Sequence, residues 1–221
     1  VIRVLVVDDE ALIRGGFTHI LSSADDIEVV AAVPGGQALP AVHEAHPDVV
    51  LLDIRMPDVD GLTVLGEIRR MTDPPVVAML TTFDADEYVA AALRSGAAGF
   101  LLKDTDPEQL PHLVRALAEG GTVLSSKVTR TVVDGYLDQG AREPATRLTA
   151  RLTDRERAVL VLMATGLGNT DIGRRMHLST GTVKGHVSAV LNKLEVGSRV
   201  QAALIAERAG LLGPARDEDA P

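Results

Sequence analysis

The sequence predicts an α/β fold: a doubly wound, five-stranded parallel sheet, joined by a linker to an all-α unit. Three observations predict it. Five short apolar, β-branched runs recur in the first 120 residues, at 2–7, 27–33, 49–52, 76–80 and 99–102. Helical stretches alternate with them, at 12–21, 37–45, 62–71, 86–95 and 107–118. Beyond residue 152 the pattern is helical throughout, with short Gly/Asn/Ser breaks near 166–169, 177–180 and 195–198. Strands that are apolar at almost every position are buried on both faces, and their alternation with helices gives a parallel sheet.

The elements suggest boundaries. Residues 1–120 form the sheet unit. From 121 to 148 the periodicity weakens, and Gly135, Gly140 and Pro144 punctuate a segment expected to be a helical stub and a flexible linker. Residues 149–213 form the helical unit, and the charged tail 214–221 is expected to be disordered.

Composition excludes several classes. With 221 residues and 46% hydrophobic content, each unit is long enough to bury a core. No apolar run approaches the roughly 18 residues of a membrane span, so no membrane partner is expected. The first seven residues lack the charged region and cleavage site of a signal peptide, which favours a cytoplasmic protein. The absence of cysteine excludes a disulfide framework, a thiolate zinc site and a cysteine nucleophile. Aromatics at 2% argue against a base-stacking single-strand binder. The net charge of −9 is unevenly divided: residues 1–120 carry 8 Lys+Arg against 20 Asp+Glu, whereas residues 149–213 carry 9 against 5. An acidic site in front and a polyanion partner behind would account for that asymmetry.

In an open α/β sheet, ligands bind beyond the carboxyl ends of the strands. Asp8, Asp9 and Glu10 follow the first strand, Asp53 the third, Thr81 and Thr82 the fourth, and Lys103 the fifth. No Gly-rich phosphate loop follows the first strand, which argues against a dinucleotide. Converging carboxylates repel one another, and a hard divalent cation relieves that repulsion. A lysine and a hydroxyl beside them suit the oxygens of a phosphoryl group, which an aspartate could accept.

These residues resemble the receiver domain of two-component response regulators over about 1–120. The matching features are Asp8-Asp9, Asp53 followed by Met56-Pro57-x-x-Asp60-Gly61, Thr81, and the Phe100-Leu101-Leu102-Lys103 run. The resemblance implies a flavodoxin-like strand order, 2-1-3-4-5. It implies Mg²⁺ held by Asp9, by Asp8 directly or through water, by Asp53 and by the backbone carbonyl of Arg55. Asp53 would be the phosphoacceptor and Thr81 and Lys103 its phosphoryl partners. Phe100 would be a rotating switch aromatic or simply core, and Thr82 caps or packs. A phosphatase of the haloacid dehalogenase type needs a second acid two residues past the nucleophile. Arg55 stands there, so an enzyme is not expected. In the family, residues two beyond the phosphoacceptor and two beyond the threonine flank the path of a hydrolytic water. Here these are Arg55 and Phe83, which implies a long-lived aspartyl phosphate.

The helical unit opens with Thr153 and Glu156 at capping-box spacing. After the break at 166–168, Asn169 can cap a short helix carrying Ile172 and Met176. A tight turn at 177–179 leads to a helix with Val183, Val187, Val190, Leu191 and Leu194 inward. Short helix, turn and longer helix form a helix-turn-helix, whose second helix can enter a major groove. His186 is expected to pack or cap.

This stretch resembles the LuxR-type DNA-binding domain, carried by Leu152-Thr153-x-Arg155-Glu156, Gly166, Asn169-x-x-Ile172, Ser179, Thr182-Val183-Lys184-x-His186-Val187, Lys193-Leu194 and Arg199. The resemblance implies phosphate contacts from Thr182, Lys193 and Arg199 on double-stranded DNA, with Lys184, Gly185 and Ser188 facing base edges. Gly185 stands where the family carries a larger residue and Gly173 where it carries Ala; each mid-helix glycine costs about 1 kcal/mol relative to Ala. Together the two domains resemble the NarL/FixJ response regulators. That implies a cytoplasmic transcription factor, phosphorylated by a cognate sensor histidine kinase and favouring a homodimer once phosphorylated. The small-residue face of helix 200–209, with Ala202, Ala203, Ile205 and Ala206, is either a dimer contact or part of its own domain's core.

Overall fold

The computed structural model describes residues 1–81, 86–123 and 142–212, divided between two compact units, Val1–Asp138 and Gln139–Pro221. The first contains β1 (Ile2–Val7), α1 (Ala11–Leu21), β2 (Ile27–Val33), α2 (Ala38–Ala45), β3 (Val49–Asp53), α3 (Gly61–Arg69), β4 (Val76–Thr81), α4 (Asp86–Arg94), β5 (Gly99–Leu102) and α5 (Leu110–Ala118). The strands are parallel in the order β2-β1-β3-β4-β5, as expected.

Strand alternation assigns the two faces. Val4, Val6, Val49, Leu51, Ala78, Leu80 and Leu101 form one core with Phe17 and Leu21 of α1 and Val114 and Leu117 of α5. Leu5, Val50, Leu52, Met79 and Phe100 are the alternate residues of the same strands and are also buried, as are Val64, Leu65 and Ile68 of α3. Burial of both faces is the reason the strands are apolar at nearly every position. Phe100 is 1% exposed in this core.

One glycine is dictated by close approach. A Cβ on Gly61 would lie 2.1 Å from the Asp53 carbonyl oxygen, so α3 starts on a glycine directly against the end of β3. Asp60 caps that helix, its side chain accepting the Leu62 N–H. The Asp-Gly pair thus fixes the loop that follows Asp53.

The second unit contains α6 (Arg142–Thr149), α7 (Asp154–Ala164), α8 (Asn169–Met176), α9 (Thr180–Lys193) and α10 (Arg199–Arg208) around a core of Leu152, Val159, Leu160, Met163, Ile172, Val183, Val190, Leu194, Ala202 and Ala206. The capping box at Thr153 and Glu156 is formed, and a second, Ser198 with Gln201, starts α10. Among the described residues no helix is long and apolar enough to cross a membrane.

Three sequence expectations change. The segment 121–148 is not wholly a linker. The Phe100 N–H donates to the Val123 carbonyl at 2.7 Å, attaching Val123 to the sheet unit, and residues 142–149 form α6, with Ala145 buried and Leu148 packed on the helical core. Its Pro144 falls in the first turn, where the missing N–H does no harm, so it did not end the helix. Asn169 does not cap α8; Gly168 occupies that position and the Asn169 side chain serves Arg199. Ala202 and Ala206 are fully buried in their own domain, so the dimer reading of that face gives way to the core reading. The expected tail 214–221 and the residues 124–141 lie outside the described residues.

Candidate phosphoacceptor site and nucleic-acid interface

Asp8, Asp53 and Thr81 end their strands or follow them directly, and Lys103 follows β5, so the sheet alone brings them together. Asp8 is fully buried; Asp53 and Thr81 are each 4% exposed. Carboxylate oxygens of Asp8, Asp9 and Asp53 lie within 4.8 Å of one another. The Lys103 ammonium stands 2.9 Å from Asp8 Oδ2, 3.0 Å from Asp53 Oδ2 and 3.1 Å from Glu10 Oε1.

The electrostatics follow from this crowding. Burial raises the pKa of Asp53; the Lys103 hydrogen bond opposes the rise and the Asp8 charge adds to it. Burial works against the Lys103 ammonium, but its bonds to Asp8, Asp53 and Glu10 hold its pKa above the ordinary lysine range. Lysine here is therefore a permanent cation.

The donor set fits a hard divalent cation. All three candidate ligands are carboxylates, which such cations prefer. Asp8 Oδ1 accepts the Glu10 N–H at 2.9 Å, whereas the buried Asp8 Oδ2 has the charge of Lys103 nearby but no aligned hydrogen bond. A buried carboxylate oxygen needs a cation or donor to answer it, and here the Lys103 ammonium supplies that charge at 2.9 Å.

One long side chain at this site escaped the sequence reading, and a second, Arg55, makes a contact that was not foreseen. Arg14, on the first turn of α1, donates from Nη1 to the carbonyls of Asp8 and Asp9 at 2.7 and 2.9 Å. Arg55 is exposed, its N–H donates to Asp53 Oδ1 at 3.4 Å, and its guanidinium carbon lies 4.9 Å from the ring centre of Tyr88 on α4. For Arg14 the only sequence signal was an arginine a few residues from an acidic motif. Thr82 and Phe83 lie outside the described residues, as does any flanking role for Phe83.

In the second unit, His177 ends α8 in the left-handed conformation (φ 56°) and Ser179 caps α9, accepting the Thr182 N–H at 3.1 Å. The α9 face so presented includes Thr182, Lys184, Gly185 and Ser188, all exposed; His186 is half-buried. Gly173 is required by the turn, since a Cβ there would meet the Leu178 carbonyl oxygen at 2.8 Å, whereas Gly185 faces open space. The loss relative to Ala expected at both positions therefore holds only for Gly185.

Two residues expected to contact phosphate have partners within the protein. Arg199 is 7% exposed and donates to Asn169 Oδ1 at 3.1 Å and the Leu167 carbonyl at 2.7 Å, joining α10 to the loop before α8. Burial lowers its pKa to about 10, so it remains charged while serving the fold. Lys193 places its ammonium between both oxygens of Glu156, at 2.9 and 2.7 Å. The Lys193 hydrogen bond holds Glu156 at about 2. A capping-box glutamate needs a cation once its remaining lone pairs are buried, and Lys193 is that cation.

A doubly wound sheet with an acidic cluster at its carboxyl edge, together with a helix-turn-helix, defines the class of two-unit regulators that carry a receiver and a DNA-binding module. The model of the response regulator receiver domain matches residues 4–115, and that of the bacterial regulatory proteins of the luxR family matches residues 150–206. The chain is 35% identical over 212 residues to the uncharacterized transcriptional regulatory protein YxjL of Bacillus subtilis, covering 96% of this chain and 97% of that protein. It is 36% identical to the response regulator protein VraR of Staphylococcus epidermidis, covering 96% and 99%. Among solved structures it resembles the response regulator ChrA of a heme-sensing two-component system, at 32% identity and a TM-score of 0.52, covering 96% and 98%. The chain belongs to the NarL/FixJ family of response regulators, which join a receiver domain to a LuxR-type helix-turn-helix and regulate transcription in dependence on phosphorylation.

Proposed function

We propose that Asp53 is the phosphoacceptor of a cytoplasmic regulator that takes its phosphoryl group from a sensor histidine kinase, with Mg²⁺ held by Asp8, Asp9, Asp53 and the Arg55 carbonyl. The observation that carries this reading is the convergence of three carboxylates and the Lys103 ammonium at one sheet edge. An Asp53 oxygen supplies the electron pair for a new O–P bond, the P–N bond of phosphohistidine breaks, and its electron pair returns to the imidazole. When bound, Mg²⁺ neutralises charge on the transferring oxygens. Lys103 is close enough to both Asp8 and Asp53 to follow charge from carboxylate to phosphoryl group. The Thr81 hydroxyl, at the end of the neighbouring strand, offers a donor to the phosphoryl oxygens. Glu10 holds the third side of the ammonium and limits where Lys103 can move.

The output half of the proposal is double-stranded DNA read by α9. Lys184 and Ser188 face base edges with Gly185 between them, and Thr182 meets a phosphate. Gly185 offers no side chain, so sequence preference rests on its neighbours and on DNA shape. Phosphorylation favours a homodimer, because one recognition helix covers few base pairs and a second raises the effective concentration. The test is to treat the parent chain and Asp53→Ala with a small-molecule phosphodonor in Mg²⁺ and follow both label and operator binding. Labelling lost in Asp53→Ala, with DNA affinity no longer responding to the donor, supports the reading. Labelling of the variant at the parent rate sinks it.

A further inference from the structure

We infer that Arg14 is a positioning residue for the cation site, setting its affinity through the backbone of Asp8 and Asp9; this rests on the Mg²⁺ reading above. Three carboxylates within 4.8 Å repel one another, and Asp9, which reaches solvent, is the one that repulsion can push away. Its peptide is prevented from turning. Nη1 of the half-buried Arg14 donates to the carbonyl oxygens of both Asp8 and Asp9, at 2.7 and 2.9 Å. The Glu10 N–H holds Asp8 Oδ1 at 2.9 Å. The stretch from Asp8 to Glu10 is thus fixed at three points, and none of the three uses Asp8 Oδ2, the buried oxygen that the Lys103 ammonium faces at 2.9 Å.

The same geometry separates two effects of opposite sign. Arg14 carries a positive charge beside a cation site, so by charge alone its removal tightens Mg²⁺ binding. By anchoring alone its removal loosens it, and groups that orient metal ligands typically change affinity about 10- to 100-fold. One guanidinium nitrogen bridging two successive carbonyls is an anchor, so loosening is expected to win.

The experiment titrates Mg²⁺ into the full chain, the Arg14→Gln and Arg14→Lys variants, and Asp9→Asn. Heat of binding and the Mg²⁺-dependent rise in melting temperature are the readouts, neither of which requires a phosphodonor. Arg14→Gln is expected to weaken Mg²⁺ by about 10-fold with a metal-free melting temperature close to the parent's. Arg14→Lys keeps the charge but not the bridging geometry and is expected to fall between. Binding by Arg14→Gln as tight as the parent's, or tighter, overturns the inference, as does an Arg14→Lys affinity equal to the parent's. Where Arg14→Gln also loses metal-free stability, the Lys variant decides, since it retains charge and aliphatic stem. A parent that binds no Mg²⁺, or an Asp9→Asn chain that binds it equally well, removes the reading beneath, and the inference with it. That outcome is distinct from a loss confined to the Arg14 variants.

Discussion

Asp53 is buried beside another carboxylate, and the fold bears the cost of keeping it ionised. A carboxyl whose folded pKa lies above its unfolded value destabilises the native state at pH above both, and that penalty fades as pH falls through the folded value. Asp53→Asn is therefore expected to raise the melting temperature of the metal-free chain at pH 7, with less gain at pH 4. A thermal melt in chelator at the two pH values checks the sign. Arg55 bears on the lifetime of the proposed aspartyl phosphate: it offers no carboxylate or amide to orient a hydrolytic water. Arg55→Asn is expected to speed decay of the purified phosphoprotein in Mg²⁺, and a positioned water is worth about 10²-fold. Unchanged decay would remove Arg55 from that role. Asp8, Asp9, Asp53, Thr81 and Lys103 were legible in the sequence because strand ends alone place them. Arg14 and the contact of Arg55 with Tyr88 were not, because a long side chain chooses among many partners and linear spacing does not say which. Arg199 was expected at a phosphate only through the resemblance, and the protein offers it a carbonyl and an amide inside the fold.

At the scale of elements, Gly173 and Gly185 of the helix-turn-helix look equivalent in sequence and are opposite in structure. Gly173→Ala forces a Cβ against a backbone oxygen, and overpacking of this kind costs about 1–3 kcal/mol. Gly185→Ala meets nothing and is expected to gain about 1 kcal/mol. Urea unfolding followed by far-ultraviolet dichroism separates them; two shifts of the same sign would contradict the geometry. The pair of Glu156 with Lys193 links α7 to the end of α9. A glutamate held at about 2 contributes stability that is complete above its ordinary value of 4.5 and is lost as pH falls from there towards 2. Screening at the partly exposed Lys193 reduces that contribution to about 1 kcal/mol or less. Lys193→Met is expected to flatten the acid limb of the stability profile, seen as a pH-dependent difference between the two chains in urea midpoint. The strands and most helices were readable from periodicity to within a few residues. Helix α6 was hidden because a proline and nearby glycines read as punctuation, and only packing reveals that the proline lies in a first turn.

For the whole molecule, the sequence divides acidic chemistry from basic recognition: −12 over residues 1–120 and +4 over 149–213. The salt dependence of DNA binding tests which cations of the second unit meet phosphate. Each phosphate contact contributes nearly one unit to the slope of log affinity against log salt. Lys193→Ala is expected to leave that slope unchanged, because its ammonium is already engaged by Glu156. Lys184→Ala is expected to narrow the gap between operator and random DNA, since removing a side chain that reads a base relaxes sequence preference. A slope reduced by about one unit in Lys193→Ala would return Lys193 to the DNA face. The two-unit division was legible from composition and periodicity, because each unit buries its own core and the hydrophobic pattern changes between them.

The stacking of Arg55 on Tyr88 has an optical consequence. The chain contains no tryptophan and only two tyrosines, Tyr88 and Tyr136. One of its two intrinsic fluorophores thus lies beneath a guanidinium whose own backbone N–H touches the Asp53 carboxylate. A cation–π contact at a solvent-facing site is worth only about 0.5–1 kcal/mol, small enough for new negative charge on Asp53 to compete for the arginine. In a Tyr136→Phe background, emission from this chain comes from one ring, two side chains away from the phosphoacceptor. The protein carries its own unlabelled dye.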